Sequence, residues 1–218
     1  MKISKEQFYE VRGNDYVLSH PEASIRYKRI LKWLDLQPGM SICEIGCMFA
    51  IIRNLVQRTD VKYIGVDINE KAIKSIPGYS KDDYIIHNAN DGLPFEDGTQ
   101  DYIVALEVME HLENPSHFLE EVKRVLKPEG RLVISVPNPY CLNEMMVNMR
   151  HGKDTEGHIG SYTHQNINAL LNFSGLKLYD SQGTYFRVPL LHRFTPKHSL
   201  IEANNLFLTR SYMFLIGR

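Results

Sequence analysis

Cysteine is scarce: Cys43, Cys47 and Cys141 are the only three in 218 residues, and no two form a C-x-x-C pair. Reduced thiols are therefore expected, with Cys47 a small filler in its turn. No apolar run approaches the roughly 20 residues that span a bilayer. The opening Met1-Lys2-Ile3-Ser4-Lys5-Glu6 lacks the apolar stretch of a signal peptide. A membrane partner is thus not expected, and the cytoplasm is the expected location. A surplus of either charge is missing too. With 25 basic and 26 acidic residues the net charge is −1, which offers no field for a nucleic-acid backbone and argues against that partner. Glycine is short at the place where a dinucleotide site needs it. The turn after the first buried run reads Gly46-Cys47-Met48-Phe49-Ala50-Ile51, with one glycine where G-x-G-x-x-G has three. Side chains at the later positions crowd a pyrophosphate, which argues against a nicotinamide-dependent oxidoreductase.

What is present suits one α/β domain over residues 1–218. Hydrophobic content of 43% and charged content of 23% are ordinary for a globular protein. The organising stretch is Ser41–Asp67, which reads as strand, tight turn, helix, strand. Glu44 stands just before Gly46, where the chain turns at the carboxyl edge of a parallel sheet, the edge at which ligands bind. The second strand, Tyr63-Ile64-Gly65-Val66, ends in Asp67, an acid placed to accept hydrogen bonds from the two hydroxyls of a ribose. An adenosine cofactor without a pyrophosphate fits this pattern.

Elsewhere helical and strand patterns alternate, as a parallel sheet with helices on both faces requires. Pro21–Leu36 reads as a helix stopped by Gln37-Pro38-Gly39, and Asn69–Ile76 as a short helix broken by Pro77-Gly78. Strands are expected at Tyr84–His87, Ile103–Leu106, Arg131–Val136, Leu176–Tyr179 and Ser211–Ile216. Further helices are expected at His117–Leu126 and Gln165–Asn172. Two stretches break the rhythm and read as long loops on the substrate side, residues 137–163 and 183–209.

At the turn and its neighbours the chain resembles the class I S-adenosylmethionine-dependent methyltransferases, whose first motif reads E/D-x-G-x-G-x-G. Glu44 and Gly46 match it, while Met48 and Ala50 stand where that family has glycine. The resemblance implies a Rossmann-like, seven-stranded, mostly parallel sheet with an antiparallel last strand, and S-adenosylmethionine as cofactor. It also implies a lid in residues 1–40, to which Tyr9, Tyr16 and Tyr27 could belong. The cofactor contacts it implies are Glu44, Gly46, Cys47, Met48, Asp67, Ile68, Asn88, Ala89 and Leu106. The segment Asn88–Phe95, NANDGLPF, resembles the adenine-facing motif: Asn88, or Asn90 in another register, would accept from the exocyclic amine, Ala89 would donate, and Leu93-Pro94-Phe95 would wall the ring. The two missing glycines keep a second reading open, a catalytically inactive relative used for binding or scaffolding.

Just past the fourth strand, Glu107-Val108-Met109-Glu110-His111 places two carboxylates and an imidazole at i, i+3 and i+4, an oxygen/nitrogen set suited to a divalent cation. This E-x-x-E-H string resembles one in ubiquinone-biosynthesis O-methyltransferases and in enzymes that methylate the 3′ end of small RNAs, where a later histidine completes the site. His158, in Gly157-His158-Ile159-Gly160-Ser161-Tyr162-Thr163, could be that histidine. Three roles remain for the string. It could hold Mg²⁺ or another divalent cation through Glu107, Glu110, His111 and His158. It could act without metal, His111 serving as general base with Glu107 or Glu110 fixing its tautomer. It could be structural. The resulting expectation is O-methylation of a small-molecule hydroxyl, a sugar or glycan intermediate first. Oligomeric state is not encoded in any motif.

Overall fold

The computed structural model describes residues 21–149, 156–187, 200–202 and 209–218. Helix α1 (Pro21–Trp33) leads into β1 (Ser41–Ile45), α2 (Ile51–Val56), β2 (Lys62–Asp67), α3 (Glu70–Lys74) and β3 (Tyr84–Ile86). Then follow β4 (Gln100–Leu106), α4 (Pro115–Val125), β5 (Leu126–Pro137), α5 (Leu142–Met149), α6 (His164–Ser174) and β6 (Lys177–Gly183). Two short strands, β7 (Tyr185–Arg187) and β8 (Leu200–Glu202), precede β9 (Ser211–Gly217).

Seven strands form one sheet in the order β3-β2-β1-β4-β5-β9-β6. The first five are parallel, while β9 runs antiparallel to both β5 and β6. The order reverses between β1 and β4, so the crevice beyond their carboxyl ends is the place where an open α/β sheet binds ligands. Because β9 is reversed, its amino end, at Ser211, lies at that same edge beside Pro137 of β5.

Side-chain alternation along the strands builds two cores. Cys43, Ile45, Ile103, Ala105, Leu132, Ile134 and Phe214 meet Phe118, Leu119 and Val122 of α4 and Ile167 and Leu171 of α6 on one face. Ile42, Tyr102, Val104, Val133 and Met213, their neighbours in sequence, meet Tyr27, Ile30 and Leu34 near α1, Ile52 of α2 and Ile73 of α3 on the other. Tyr27 is thus a core residue; the lid positions before residue 21, Tyr9 and Tyr16 among them, lie outside the described residues. Helix starts are fixed by local chemistry. Asn69 accepts from Ala72 N–H, Asn114 accepts from His117 N–H ahead of Pro115, and Thr163 with Asn166 forms a reciprocal cap for α6.

Several boundaries differ from expectation, among them β5, which begins at Leu126 in the stretch read as the end of a helix and a turn. Helix α1 ends at Trp33, three residues before Leu36. The stretch 137–163, read as a loop, contains helix α5, whose Leu142, Met145, Met146 and Met149 are exposed. The stretch 183–209 contains the β7–β8 pair, two three-residue strands too short to leave a pattern; its residues 188–199 and 203–208 lie outside the described residues.

Candidate active site

The first half of the site is the turn after β1. Gly46 and Cys47 both donate to the Val66 carbonyl, at 2.8 and 3.2 Å, stitching the turn to β2. Gly46 has φ +69°, and a Cβ there would lie 2.6 Å from Val108 Cγ2, so no side chain fits. Met48 and Ala50 also sit in left-handed conformations, with φ 42° and 53°. The two positions that lack the family's glycines therefore keep a glycine-like backbone, at a cost of about 1–2 kcal/mol per residue. The motif's shape survives without its usual residues. Cys47 is buried behind the turn beside Gly65, as a filler would be.

Asp67 holds this turn. Its Oδ2 accepts from Met48 N–H and its Oδ1 from Asn69 N–H, both at 2.7 Å. Burial pushes the carboxyl's pKa up, against the pull of these donors and of Ile68 N–H. These three donors leave about one of the roughly four lone-pair sites of a carboxylate, so one ribose hydroxyl can be accepted without displacing a donor. Glu44 is more deeply buried, 4% exposed, and accepts from Tyr63 O–H at 2.5 Å. Burial raises its pKa to about 8, so the carboxyl is largely protonated at neutral pH. Asn88 Oδ1 already accepts from both Asn90 N–H and Asn90 Nδ2–H at 3.0 Å, and Asn90 Oδ1 accepts from Glu113 N–H. An adenine amine would have to share that oxygen. Ala89 opens a short 3₁₀ turn beside it. Leu93 is buried, with Phe95 packed against the same core, while Leu106 and Ile68 close β4 and follow β2 at the carboxyl edge.

The second half lies beyond β4. Glu107 is the fourth non-glycine residue with positive φ, at 53°, and this directs its carboxylate into a polar nest. Ser135 Oγ donates to it at 2.7 Å, Ser211 Oγ at 3.4 Å, and the Arg26 guanidinium on α1 stands 3.6 Å away. One turn on, Glu110 is 1% exposed, and neither of its carboxylate oxygens has a hydrogen-bond partner among the described residues. Burial first, then the Glu107 charge, holds its proton affinity well above the ordinary carboxylate range. Donor atoms of Glu110, His111 and His158 all lie within 4.8 Å of one another. The structure thus brings three of the four residues of the E-x-x-E-H and GH pattern together; Glu107 is occupied by Ser135, Ser211 and Arg26.

The segment after residue 156 is folded onto Glu110 by backbone bonds. Ile159 and Gly160 N–H groups donate to the Glu110 carbonyl at 2.8 and 2.9 Å. His111 Nδ1 lies 3.2 Å from the Gly157 carbonyl, which fixes the tautomer with Nε2 as the lone-pair nitrogen. The His111 and His158 rings are 5.0 Å apart, and His158 Nε2 is 3.4 Å from Glu156. Gly160 is required because a Cβ there would meet the Tyr162 hydroxyl at 2.7 Å. Glu110, His158 and Tyr162, with Pro137, Glu144 and Asn148, line a cavity of about 210 Å³. Arg26, Ser135, Ser211, Glu144, Tyr162 and Arg210 were not singled out from sequence. Only Tyr162 lay in a motif, and the others converge through topology, chiefly the reversal of β9.

A cofactor turn at β1 and β2 and an acidic, histidine-bearing cavity past β4, at one edge of a seven-stranded sheet, define a class I methyltransferase architecture. Residues 21–181 match the family described as methyltransferase domain, and the chain belongs to that family of S-adenosylmethionine-dependent enzymes. It is similar to a Mycolicibacterium smegmatis protein named a probable S-adenosylmethionine-dependent methyltransferase, with 28% identity over 76% of this chain and 63% of that protein. It is similar to the ubiquinone biosynthesis O-methyltransferase of Thiobacillus denitrificans, with 25% identity over 50% of each. A third similar protein is the 27-O-demethylrifamycin SV methyltransferase of Amycolatopsis mediterranei, with 30% identity over 51% of this chain and 45% of that protein. The chain spans about half the length of the curated relatives it matches. Two solved structures share its fold. One is a Thermotoga maritima S-adenosylmethionine-dependent methyltransferase titled a possible histamine N-methyltransferase, with TM-score 0.73 and 16% identity over 97% of this chain and 99% of that one. The other is a methyltransferase in complex with the Haloferax volcanii Trm112 activator, with TM-score 0.71 and 18% identity over 99% and 98%.

Fold, family and cofactor class therefore agree with the expectations drawn from the acid–glycine turn. S-adenosylmethionine is the family's cofactor, and the turn fits it: the left-handed loop, bare Gly46 and a carboxylate with a spare lone pair. Among the described residues no helix is long and apolar enough to cross a membrane.

Proposed function

We propose that this domain methylates a hydroxyl of a small molecule, with a sugar or glycan intermediate as the first candidate. The observation that carries the reading is Glu110: a carboxyl 1% exposed with both oxygens unpartnered, beside His111 and His158, at a cavity of acceptor size. An orphaned buried carboxylate is costly unless a ligand satisfies it. When bound, S-adenosylmethionine supplies an electrophilic methyl on sulfur; the acceptor oxygen forms the new C–O bond as the C–S bond breaks. A divalent cation held by Glu110, His111 and His158 would supply a positive charge that acidifies the hydroxyl. The donor set, one carboxylate and two imidazoles within 4.8 Å, suits that ion.

The chain's own residues do the rest. Asp67 and the Met48 turn seat the nucleoside, with Asn88 and Ala89 beside the base. Gly157 O orients His111, and Glu110 with His158 lines the cavity that takes the acceptor hydroxyl. Tyr162 and Pro137 form part of the cavity wall. Glu107 contributes by holding Arg26, and hence α1, over the sheet edge. His158, beside Glu156, favours a metal-free variant in which it takes the hydroxyl proton.

The test is transfer of a labelled methyl group from S-adenosylmethionine to a panel of methyl glycosides, with and without EDTA and with Glu110→Gln. Transfer by the wild type and its loss in Glu110→Gln support the reading. Equal transfer by both enzymes removes Glu110 from it.

A further inference from the structure

The acceptor cavity has two walls. One is the segment 157–162, fixed to Glu110 by backbone hydrogen bonds. The other is α5, which contributes Glu144 and Asn148. Leu142, Met145, Met146 and Met149 of α5, at i, i+3, i+4 and i+7, are 40, 41, 41 and 77% exposed. Among the described residues, the polar tie from α5 side chains to the sheet is the ion pair between Glu144 and Arg210. The same guanidinium lies 3.7 Å from Cys141 Sγ, at the start of the helix.

Arg210 is itself rigidly placed. Its N–H donates to the Tyr185 carbonyl at 2.8 Å, and its own carbonyl accepts from Asn138 N–H at 2.9 Å. Asn138, fully buried, also donates through Nδ2 to the Thr209 carbonyl at 2.7 Å and accepts from Tyr140 N–H. The corner between β5 and α5 is thereby sewn to the amino end of β9, and the guanidinium extends that seam onto the helix.

We propose that Arg210 is the positioning residue of the acceptor wall, acting through Glu144. By holding Glu144 it sets where α5 stands against Glu110. This inference rests on the reading of the cavity as the acceptor site.

The test needs no acceptor. All three cysteines are buried, two of them, Cys43 and Cys47, in β1 and its turn, far along the chain from the latch. Alkylation by N-ethylmaleimide is followed at each cysteine by peptide mass spectrometry in the wild type, Glu144→Ala and Arg210→Ala. Both variants are expected to accelerate Cys141 alkylation about tenfold or more, the change that loss of ~1.4 kcal/mol of local protection produces. Cys43 and Cys47 should stay protected, and S-adenosylhomocysteine affinity should stay unchanged. Glu144→Ala leaves a cation beside the thiol and Arg210→Ala removes it, so acceleration in both cannot arise from charge. The exchanged pair, Arg210→Glu with Glu144→Arg, should restore protection. Unchanged Cys141 reactivity, or acceleration at all three cysteines together, overturns the proposal. A failed alkylation test speaks against the latch alone, and failed methyl transfer against the functional reading alone.

Discussion

Replacing Glu44 with glutamine tests the electrostatics of the cofactor turn quantitatively. The Glu44 carboxyl titrates near about 8 in the fold against an ordinary 4.5, chiefly because burial disfavours its charge. Between those values the native protein holds a proton that the unfolded chain has released. The native state binds more protons, so this group's contribution to stability falls as pH rises through the window and levels off above the folded pKa. At ~1.36 kcal/mol per pH unit the full window is worth on the order of 5 kcal/mol, and relaxation around the charge lowers that to roughly 2–5. Glutamine imitates the protonated acid and can still accept from Tyr63 O–H. Urea denaturation of both proteins should therefore show equal stability at about pH 4.5, then a growing advantage for Glu44→Gln that reaches several kcal/mol near pH 8 and stays constant above it. Taking the difference between the proteins cancels the titration of Glu110, while Asp67 enters through the repulsion of its charge on Glu44. A difference that does not change with pH, or one that turns against glutamine at high pH, refutes the argument that burial sets the state of this carboxyl.

Three further outcomes are expected. Glu110→Leu should abolish methyl transfer while leaving urea stability unchanged or raising it by about 1–3 kcal/mol, because a buried unpartnered carboxyl is removed; a large loss of stability would mean that the carboxyl has a structural partner. Met48→Gly should change stability by less than about 0.5 kcal/mol, since relief at a left-handed residue offsets the entropy that glycine adds to the unfolded chain, and a loss above 2 kcal/mol would show that its side chain is packed as core. Full chelation with EDTA should lower methyl transfer and Mg²⁺ should restore it if Glu110, His111 and His158 hold the ion; undiminished transfer removes the cation and leaves His158 as the base.

The sheet was legible because its strands are short buried runs closed by turn residues, and because Glu44, Gly46 and Asp67 lie at strand ends where spacing alone places them at one edge. Asn69 likewise announces its helix, whereas the cap at Asn114 and the proline at residue 115 start α4 two residues before the expected His117. Helix α5 was not legible, since a Pro-Asn-Pro start resembles a loop. The left-handed turns at Met48 and Ala50 were hidden for a different reason. Only glycine advertises that conformation in sequence, and here the hydrogen bond from Met48 N–H to Asp67 holds the turn instead. The convergence of Glu110 and His111 with His158 was expected from their motifs, but the occupation of Glu107 depends on Ser211 and Arg26, one on the reversed strand β9 and one on α1. Side chains so far apart in sequence meet only through topology.

The account depends most on the turn between β1 and α2 accepting an adenosine ribose against Asp67 despite its missing glycines. Calorimetric titration with S-adenosylhomocysteine, on the wild type and on Asp67→Ala, tests this directly. Saturable one-to-one binding is expected, weakened in Asp67→Ala by about 2–4 kcal/mol for the loss of ribose hydrogen bonding together with the acceptor that holds the Met48 turn. Absence of binding to the wild type, or equal affinity in the two proteins, contradicts it.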